Sequence, residues 1–291
     1  VKFDFIDEEK ESFPVDFMCK QLGVSRSGYY ASRGREPSAR AQDQAKLVEE
    51  IKAVHRESRG TYGSPRVHAK LKAEGRRTSR KRVARLMREE ELVARSKRRF
   101  RRTTDSNHAF PIAENVLGRN FVAHGPNQAW VTDITYVWTR EGWLYVAAIV
   151  DLFSRMVVGW AMSERIDRQL CLDALTMAVE ARRPAPGLIH HSDRGSQYAS
   201  HDYRRALDEH EMVCSMSRKG DCWDNAVAES FWSTLKAELV DGTDFPSRAS
   251  ARTAVFEFIE VFYNRQRLHS TLDYRTPSEF ESVDNPKATA A

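Results

Sequence analysis

Cysteine is scarce in this chain: four in 291 residues, Cys19, Cys171, Cys214 and Cys222, widely spread and without a CxxC pair. That pattern excludes a disulfide framework and a structural zinc knot, and it suits a reducing compartment. Long apolar runs are missing too. The most apolar stretch, residues 143–153 (WLYVAAIVDLF), is about half the length of a bilayer span and contains Asp151. Residues 1–20 hold six acids and three bases, not the basic-then-apolar order of a secretory signal. With 41% hydrophobic residues and a net charge of only +5, the chain is not of the disordered class. Its length suits one large domain with appendages, or two to three modules.

Charge of one sign is also nearly absent overall, but this conceals an uneven distribution. Residues 61–110 hold 16 bases against 5 acids, a local surplus of +11, whereas residues 111–291 sum to −6. A basic module joined to a mildly acidic one is the simplest description, and the local field is what a polyanionic partner would feel.

The basic half reads as short helices. An apolar segment ends at Leu22, Gly23 breaks it, and Ser25 can cap a second helix through Tyr29 and Tyr30. This is helix-turn-helix spacing. A polar helix is expected from Pro37 to about His55, with either Ala45, Val48, Ile51 and Val54 or Leu47 and Ile51 facing inward. A second helical pair follows, opened by Ser64 as N-cap with Pro65 at the first helical position and ended by Gly75. Thr78 or Ser79 then caps a helix with Val83, Leu86 and Met87 inward and Lys81, Arg82, Arg85 and Arg88 outward. Such a helix fits a DNA groove, and 95–102 (RSKRRFRR) reads as a phosphate-tracking arm. The candidate DNA-binding set is Arg66, Lys81, Arg82, Arg85, Arg88, Arg95, Lys97, Arg98, Arg99, Arg101 and Arg102. Arg and Lys on an exposed helix serve phosphates as readily as base edges, so sequence readout stays open.

Beyond a linker the period changes. Residues 129–138 and 143–151 are strand-like around the turn Arg140-Glu141-Gly142, and 156–162 form a third strand. Helix 168–181, strand 188–191, helix 203–210, strand 213–216 and helices 224–239 and 248–263 follow. Three consecutive strands and then alternating elements predict an α/β fold, a mixed five-stranded sheet with flanking helices, similar to the ribonuclease-H-like fold and preceded by all-α helix-turn-helix modules. The expected divisions are 1–35, 36–60, 61–102, 103–124, 125–245 and 246–291. In order they are a helix-turn-helix, a helical connector, a second basic helix-turn-helix with arm, a linker, the ribonuclease-H-like core, and a C-terminal helix and tail.

Three carboxylates fall where that topology can bring them together. Asp133 lies within an apolar strand, where an unpaired carboxylate costs several kcal/mol unless a cation or hydrogen bonds satisfy it. Asp193 follows the fourth strand, where ligands of α/β sheets gather. Glu229 lies one to two turns into a long helix. Acids on separate elements are what a pair of hard Mg²⁺ ions requires for phosphodiester chemistry. Each also has a plain structural reading: a strand edge for Asp133, a turn paired with Arg194 for Asp193, and a solvated helix position for Glu229.

The ordered series CKQLGVSRSGYY, YGSPRVHAKL, WVTDITY, HHSDRGSQYAS, SMSRKGDCWDNAVAESFWSTLKAEL and YNRQRLHSTLDYRTPSEF resembles the orfB-type catalytic transposases of bacterial insertion sequences. These lie in the superfamily of DDE transposases and retroviral-integrase-like cores. Thirty-five residues lie between Asp193 and Glu229, the interval characteristic of that family. The resemblance implies that Asp133, Asp193 and Glu229 form the catalytic, metal-holding triad, with two Mg²⁺ ions per site and Mn²⁺ as substitute. It further implies binding of double-stranded DNA at terminal inverted repeats, water-activated cleavage, and strand transfer to target DNA without a covalent protein intermediate. Lys236, two turns beyond Glu229, is expected to hold DNA beside the metals.

Around the triad, Asn225 is expected to cap its helix, Arg194 or Gln197 to touch DNA, and Lys219 to belong to an active-site loop. Asp151 reads as structural. His190 or His191 with Cys214 reads as packing rather than a catalytic pair. Tyr263, Asn264, Arg267 and His269 could bind DNA, dock on the core or meet a partner. A homo-oligomer on DNA, cytoplasmic and nucleoid-associated and without membrane contact, is implied. So is an upstream orfA-type protein, as fusion or partner; the chain, opening on Val1, would be the downstream product or part of a fusion. A nuclease without strand transfer and a non-catalytic DNA-binding regulator are the two other classes that fit.

Overall fold

The computed structural model describes residues 2–36, 38–95, 111–218 and 222–284. Two compact units divide between Ala53 and Val54. The first contains α1 (Lys2–Glu9), α2 (Val15–Gln21), α3 (Arg26–Arg33) and most of α4 (Ala39–Glu57). Ile6, Met18, Cys19 and Tyr29 form its small core. Gly23, at φ +63°, makes the turn between α2 and α3, a backbone angle that L side chains adopt at a cost. The Ser25 hydroxyl then accepts from the Gly28 amide at 3.0 Å, capping α3. Along α4 the buried positions are Leu47, Ile51 and Val54, whereas Ala45 is exposed and Val48 half-buried, so the buried face combines Leu47 and Ile51 of one expected set with Val54 of the other.

In the second unit, α5 (Ser64–Ala73) and α6 (Arg80–Glu89) pack through Val67, Leu71, Val83, Leu86 and Met87. Ser64 is the first residue of α5 rather than its cap. Gly63 holds the cap position and offers no side-chain bond. Ser79 caps α6 by accepting from the Arg82 amide at 3.2 Å.

The sheet comprises β1 (Ala129–Thr139), β2 (Gly142–Asp151), β3 (Val157–Ser163), β4 (Ile189–Ser192) and β5 (Val213–Met216), in the order β3-β2-β1-β4-β5. β1, β2 and β3 pair antiparallel, while β4 and β5 run parallel to β1. This is the ribonuclease-H-like arrangement. Both faces are covered, which explains the nearly continuous apolar run of β2. Helices α7 (Arg168–Arg182), α8 (Ser196–Ala199) and α9 (His201–Glu209) supply one face, with Trp130, Ile149, Leu175 and Tyr203 in its core. On the other lie α10 (Ala226–Leu235) and α11 (Arg248–Phe256), which continue as π-helical turns over Lys236–Val240 and Glu257–Tyr263. Val131, Val146, Trp232 and Phe258 belong to that core. α12 (Pro277–Asp284) closes the described chain. Gly159 is required where α7 crosses β3, because a Cβ there would lie 2.6 Å from that of Ala178.

Candidate active site

The site begins with a mismatch in strand length. β4 pairs with β1 only from Ala129 to Val131, although β1 runs on to Thr139. From Thr132 onward that edge has no strand beside it among the described residues, and Asp133 is on it. One Asp133 oxygen accepts from the Ile134 amide at 2.8 Å. Burial, followed by the charges of Asp193 and Glu229, raises the Asp133 carboxyl well above the ordinary aspartate value, against the pull of Lys236. The three expected acids therefore share one electrostatic neighbourhood.

Each acid is held by its own element. Asp193 is the first residue after β4, and its Oδ1 accepts from the Gly195 amide at 2.8 Å. A Cβ at Gly195 would press on that oxygen and on Gln197 Oε1, both at 3.0 Å, so glycine leaves the carboxylate room. Glu229, half-buried, sits in the first turn of α10, whose Ala228, Phe231, Trp232 and Leu235 are buried against the sheet. Asn225 does not cap that helix. Its Nδ2 instead donates to the Thr132 carbonyl at 3.0 Å, tying the start of α10 to β1 beside Asp133. The Asn225 Oδ1 is buried without a hydrogen-bond partner among the described residues.

A second tie was not foreseen. Asp224 is fully buried and accepts from Arg218 and Arg119 side chains and from Asn115 Nδ2. These bonds hold its carboxyl far below the usual aspartate range. Only the adjacency of Asp224 to Asn225 in the sequence hinted at it.

The carboxylates suit a hard divalent cation in donor chemistry. Among the described residues no three His, Cys, Asp or Glu side chains already stand in metal-holding geometry. The crowded charge on Asp133 and the orphaned Asn225 oxygen are the two features that a bound cation with its waters would relieve.

Lys236 is half-buried with its Nζ 5.0 Å from the Tyr136 ring centroid, and Asp133 is among the charges that act on it. Tyr136, Trp143 and Trp138 continue outward as an edge-to-face ladder with centroids 4.8 and 4.7 Å apart. Arg194 donates to the Ser217 carbonyl at 2.6 Å, and Gln197 is half-buried in α8. Lys219 lies outside the described residues, as do Lys97, Arg98, Arg99, Arg101 and Arg102.

On α6, Lys81, Arg85 and Arg88 are exposed and Arg82 is half-exposed. Arg85 also reaches Glu89 at 3.0 Å. Arg66 is different: it turns inward, 3.8 Å from the buried Glu238 and against the Tyr62 ring. Arg95 is exposed and donates to the Glu238 carbonyl at 3.3 Å.

The remaining candidates are structural ties. Asp151 is fully buried and accepts from the Asn127, Phe153 and Ser154 amides and from Trp130 Nε1. His191 lies between the Ser215 and Ser217 hydroxyls, and His190 bonds Tyr203, so neither forms a dyad with Cys214. Asn264 bonds both backbone groups of Val157, Arg267 grips Glu238 with two bonds of 2.7 Å, and His269 stacks edge-on against Tyr263. Of the three roles open to this segment, the structure shows docking on the core.

Two integrase core domain models match residues 123–222 and 210–277, and an HTH-like domain model matches residues 41–100. Fold and family models thus define an integrase-core protein with a helix-turn-helix-like segment ahead of the core. The chain is 49% identical over 90% of its length to a 31 kDa protein of insertion element IS600 from Shigella sonnei, covering 97% of that protein. It is 42% identical over 97% of its length to the transposase InsF for insertion sequence IS3A of Escherichia coli (strain K12), covering 99% of it. It belongs to this family of insertion-sequence transposases. Among solved structures, an intasome of simian T-cell lymphotropic virus with the B56γ subunit of PP2A aligns over 80% of this chain and 74% of that one. Its TM-score is 0.46 and its identity 17%.

Proposed function

We propose that this transposase binds the terminal repeats of its own element and cuts and rejoins phosphodiesters by direct transesterification at Asp133, Asp193 and Glu229. The observation that supports the reading is the buried Asp133 carboxyl on the open edge of β1, raised by burial and then by the charges of Asp193 and Glu229. Asp133, Asp193 and Glu229 would hold two Mg²⁺ ions, or Mn²⁺ in their place, and the ions would supply Lewis-acid stabilisation of the reacting phosphate. The protein orients the strand. Lys236 offers a cation beside the acids, and Arg194 and Gln197 flank Asp193. Asn225 holds α10, and so Glu229, at a fixed distance from β1. Lys81, Arg82, Arg85 and Arg88 grip the DNA backbone, helped by Arg95 and by the basic residues of the arm.

Concerted cutting and joining of two ends requires at least a dimer on DNA, with an upstream orfA-type protein as fusion or partner, in the cytoplasm at the nucleoid. Products identify the reaction. Incubated with DNA carrying the element's ends and Mg²⁺, the wild type should give joined products, and Asp133→Asn, Asp193→Asn and Glu229→Gln should give neither cut nor joined DNA while still binding it. Cut ends that are never joined would indicate a nuclease. Activity undiminished in all three variants would indicate that the triad is misassigned.

A further inference from the structure

Behind α10 lies a cavity of about 370 Å³ lined by Arg66, Arg95, Arg155 and Arg267 with Glu238 and His269. It is not the site of the three acids. The helix residues that line it include Ser230 and Thr234, about one turn apart on one face. Glu229 and Lys236, seven residues apart, share a face turned well away from that one.

Its charge is unbalanced. Both Glu238 oxygens are taken by Arg267, at 2.7 Å each. Arg66, at 3.8 Å, is beyond hydrogen-bond reach of that carboxylate, and Arg95 meets only the Glu238 main-chain oxygen. Arg155 donates through one nitrogen to the Phe121 carbonyl at 3.3 Å, while its Nη1 is buried with no hydrogen-bond partner among the described residues. Among the described residues, four guanidinium groups therefore line the cavity with one acid. His269 registers the result: burial and then the charges of Arg267, Arg66 and Arg155 push its imidazole down to about 2.

We propose that this cavity is a phosphate-binding site, taking a phosphate group either free or carried on a DNA strand. A buried guanidinium nitrogen without an acceptor is costly, and a phosphate presents acceptors in several directions to planar arginine forks. The volume leaves space for the group that carries the phosphate.

The test is titration calorimetry of the full chain with sodium phosphate, sodium pyrophosphate and a short DNA duplex, at constant ionic strength and with EDTA present. Binding of either small anion, weakened at least tenfold by Arg155→Gln, supports a free phosphate ligand. No response to the small anions, with duplex affinity reduced at least tenfold by Arg155→Gln, supports a DNA phosphate. Saturation by none of them, or affinities untouched by Arg155→Gln, overturns the proposal. Arg66→Gln is measured in parallel and decides the matter should Arg155→Gln melt below the assay temperature. Asp133→Asn should bind phosphate as the wild type does, so that failure of the catalytic assignment and failure of this site are separate results.

Discussion

Asn225 donates its side-chain amide to the carbonyl of Thr132 at 3.0 Å, joining the residue before α10 to the residue before Asp133. The bond spans two elements that each carry a candidate catalytic acid, so the separation of Asp133 and Glu229 depends on it. Asparagine is suited to this. Its nitrogen satisfies a backbone oxygen on the open strand edge, while its Oδ1 is buried with no hydrogen-bond partner among the described residues.

Replacing Asn225 with Ala should therefore lower strand cleavage by roughly 10–100-fold, the size seen when partners that orient metal ligands are removed. Folding stability should fall by only about 1 kcal/mol, the net contribution of one such bond. Cleavage rates measured against Mg²⁺ concentration, with urea unfolding alongside, would separate the two. A loss of stability with an unchanged rate would show that the bond serves the fold alone.

The basic face of α6 should act on affinity instead. Lys81→Gln, Arg85→Gln and Arg88→Gln combined should weaken DNA binding and reduce the slope of log affinity against log salt by roughly one per lost phosphate contact. Catalysis per bound complex should stay near wild type, because none of these side chains lies among the three acids. Filter binding across a salt series is sufficient, and an unchanged slope would contradict the placement of DNA on α6.

Much of this architecture was legible in the chain. Strand periodicity and the Arg140-Glu141-Gly142 turn gave the hairpin, and the expected strands match β1 to β5 to within a residue or two. The three acids stand on the elements anticipated for them because each flanks or interrupts a strong apolar pattern. What could not be read was the pairing of charges distant in sequence. Arg66 looks like its basic neighbours until the fold delivers Glu238 beside it, and Asp224 looks solvated until Arg218 and Arg119 close on it. Helix caps were misread where a backbone neighbour outcompeted the local option, as Thr132 does for Asn225. The short helices α1, α8 and α12 were missed because four to eight residues carry too little periodicity.

The Arg267–Glu238 pair is a case where removal is worse than absence. Both side chains are buried and joined by two short bonds. Arg267→Ala would break both bonds and leave the buried carboxylate with Arg66, 3.8 Å away, as its nearest cation, and the expected loss is about 3 kcal/mol, the low end for a broken buried pair. Chemical denaturation of the single variants and of Arg267→Met/Glu238→Leu provides the check. The double variant should recover only part of the loss, because Glu238→Leu also removes the carboxylate that faces Arg66.

Buried histidines give the fold a defined acid limit. His190, His191 and His269 are pushed down to about 3, 4 and 2, in each case chiefly by burial. Their ordinary value is about 6.5, so below it the unfolded chain takes up protons that the folded chain refuses. Stability contributed by these groups is thus complete above about pH 6.5 and is lost as the pH falls toward the folded values. Between about pH 6 and 4.5 the three together should remove roughly 4 kcal/mol per pH unit, at about 1.4 kcal/mol for each proton. Unfolding free energies from urea titrations at pH 7, 6 and 5 would measure the slope. His190→Gln, which keeps a hydrogen-bonding partner for the Tyr203 hydroxyl, should lower it by about one third relative to wild type. An unaltered slope in that variant would mean that His190 is protonated within the fold, against its burial between β4 and α9.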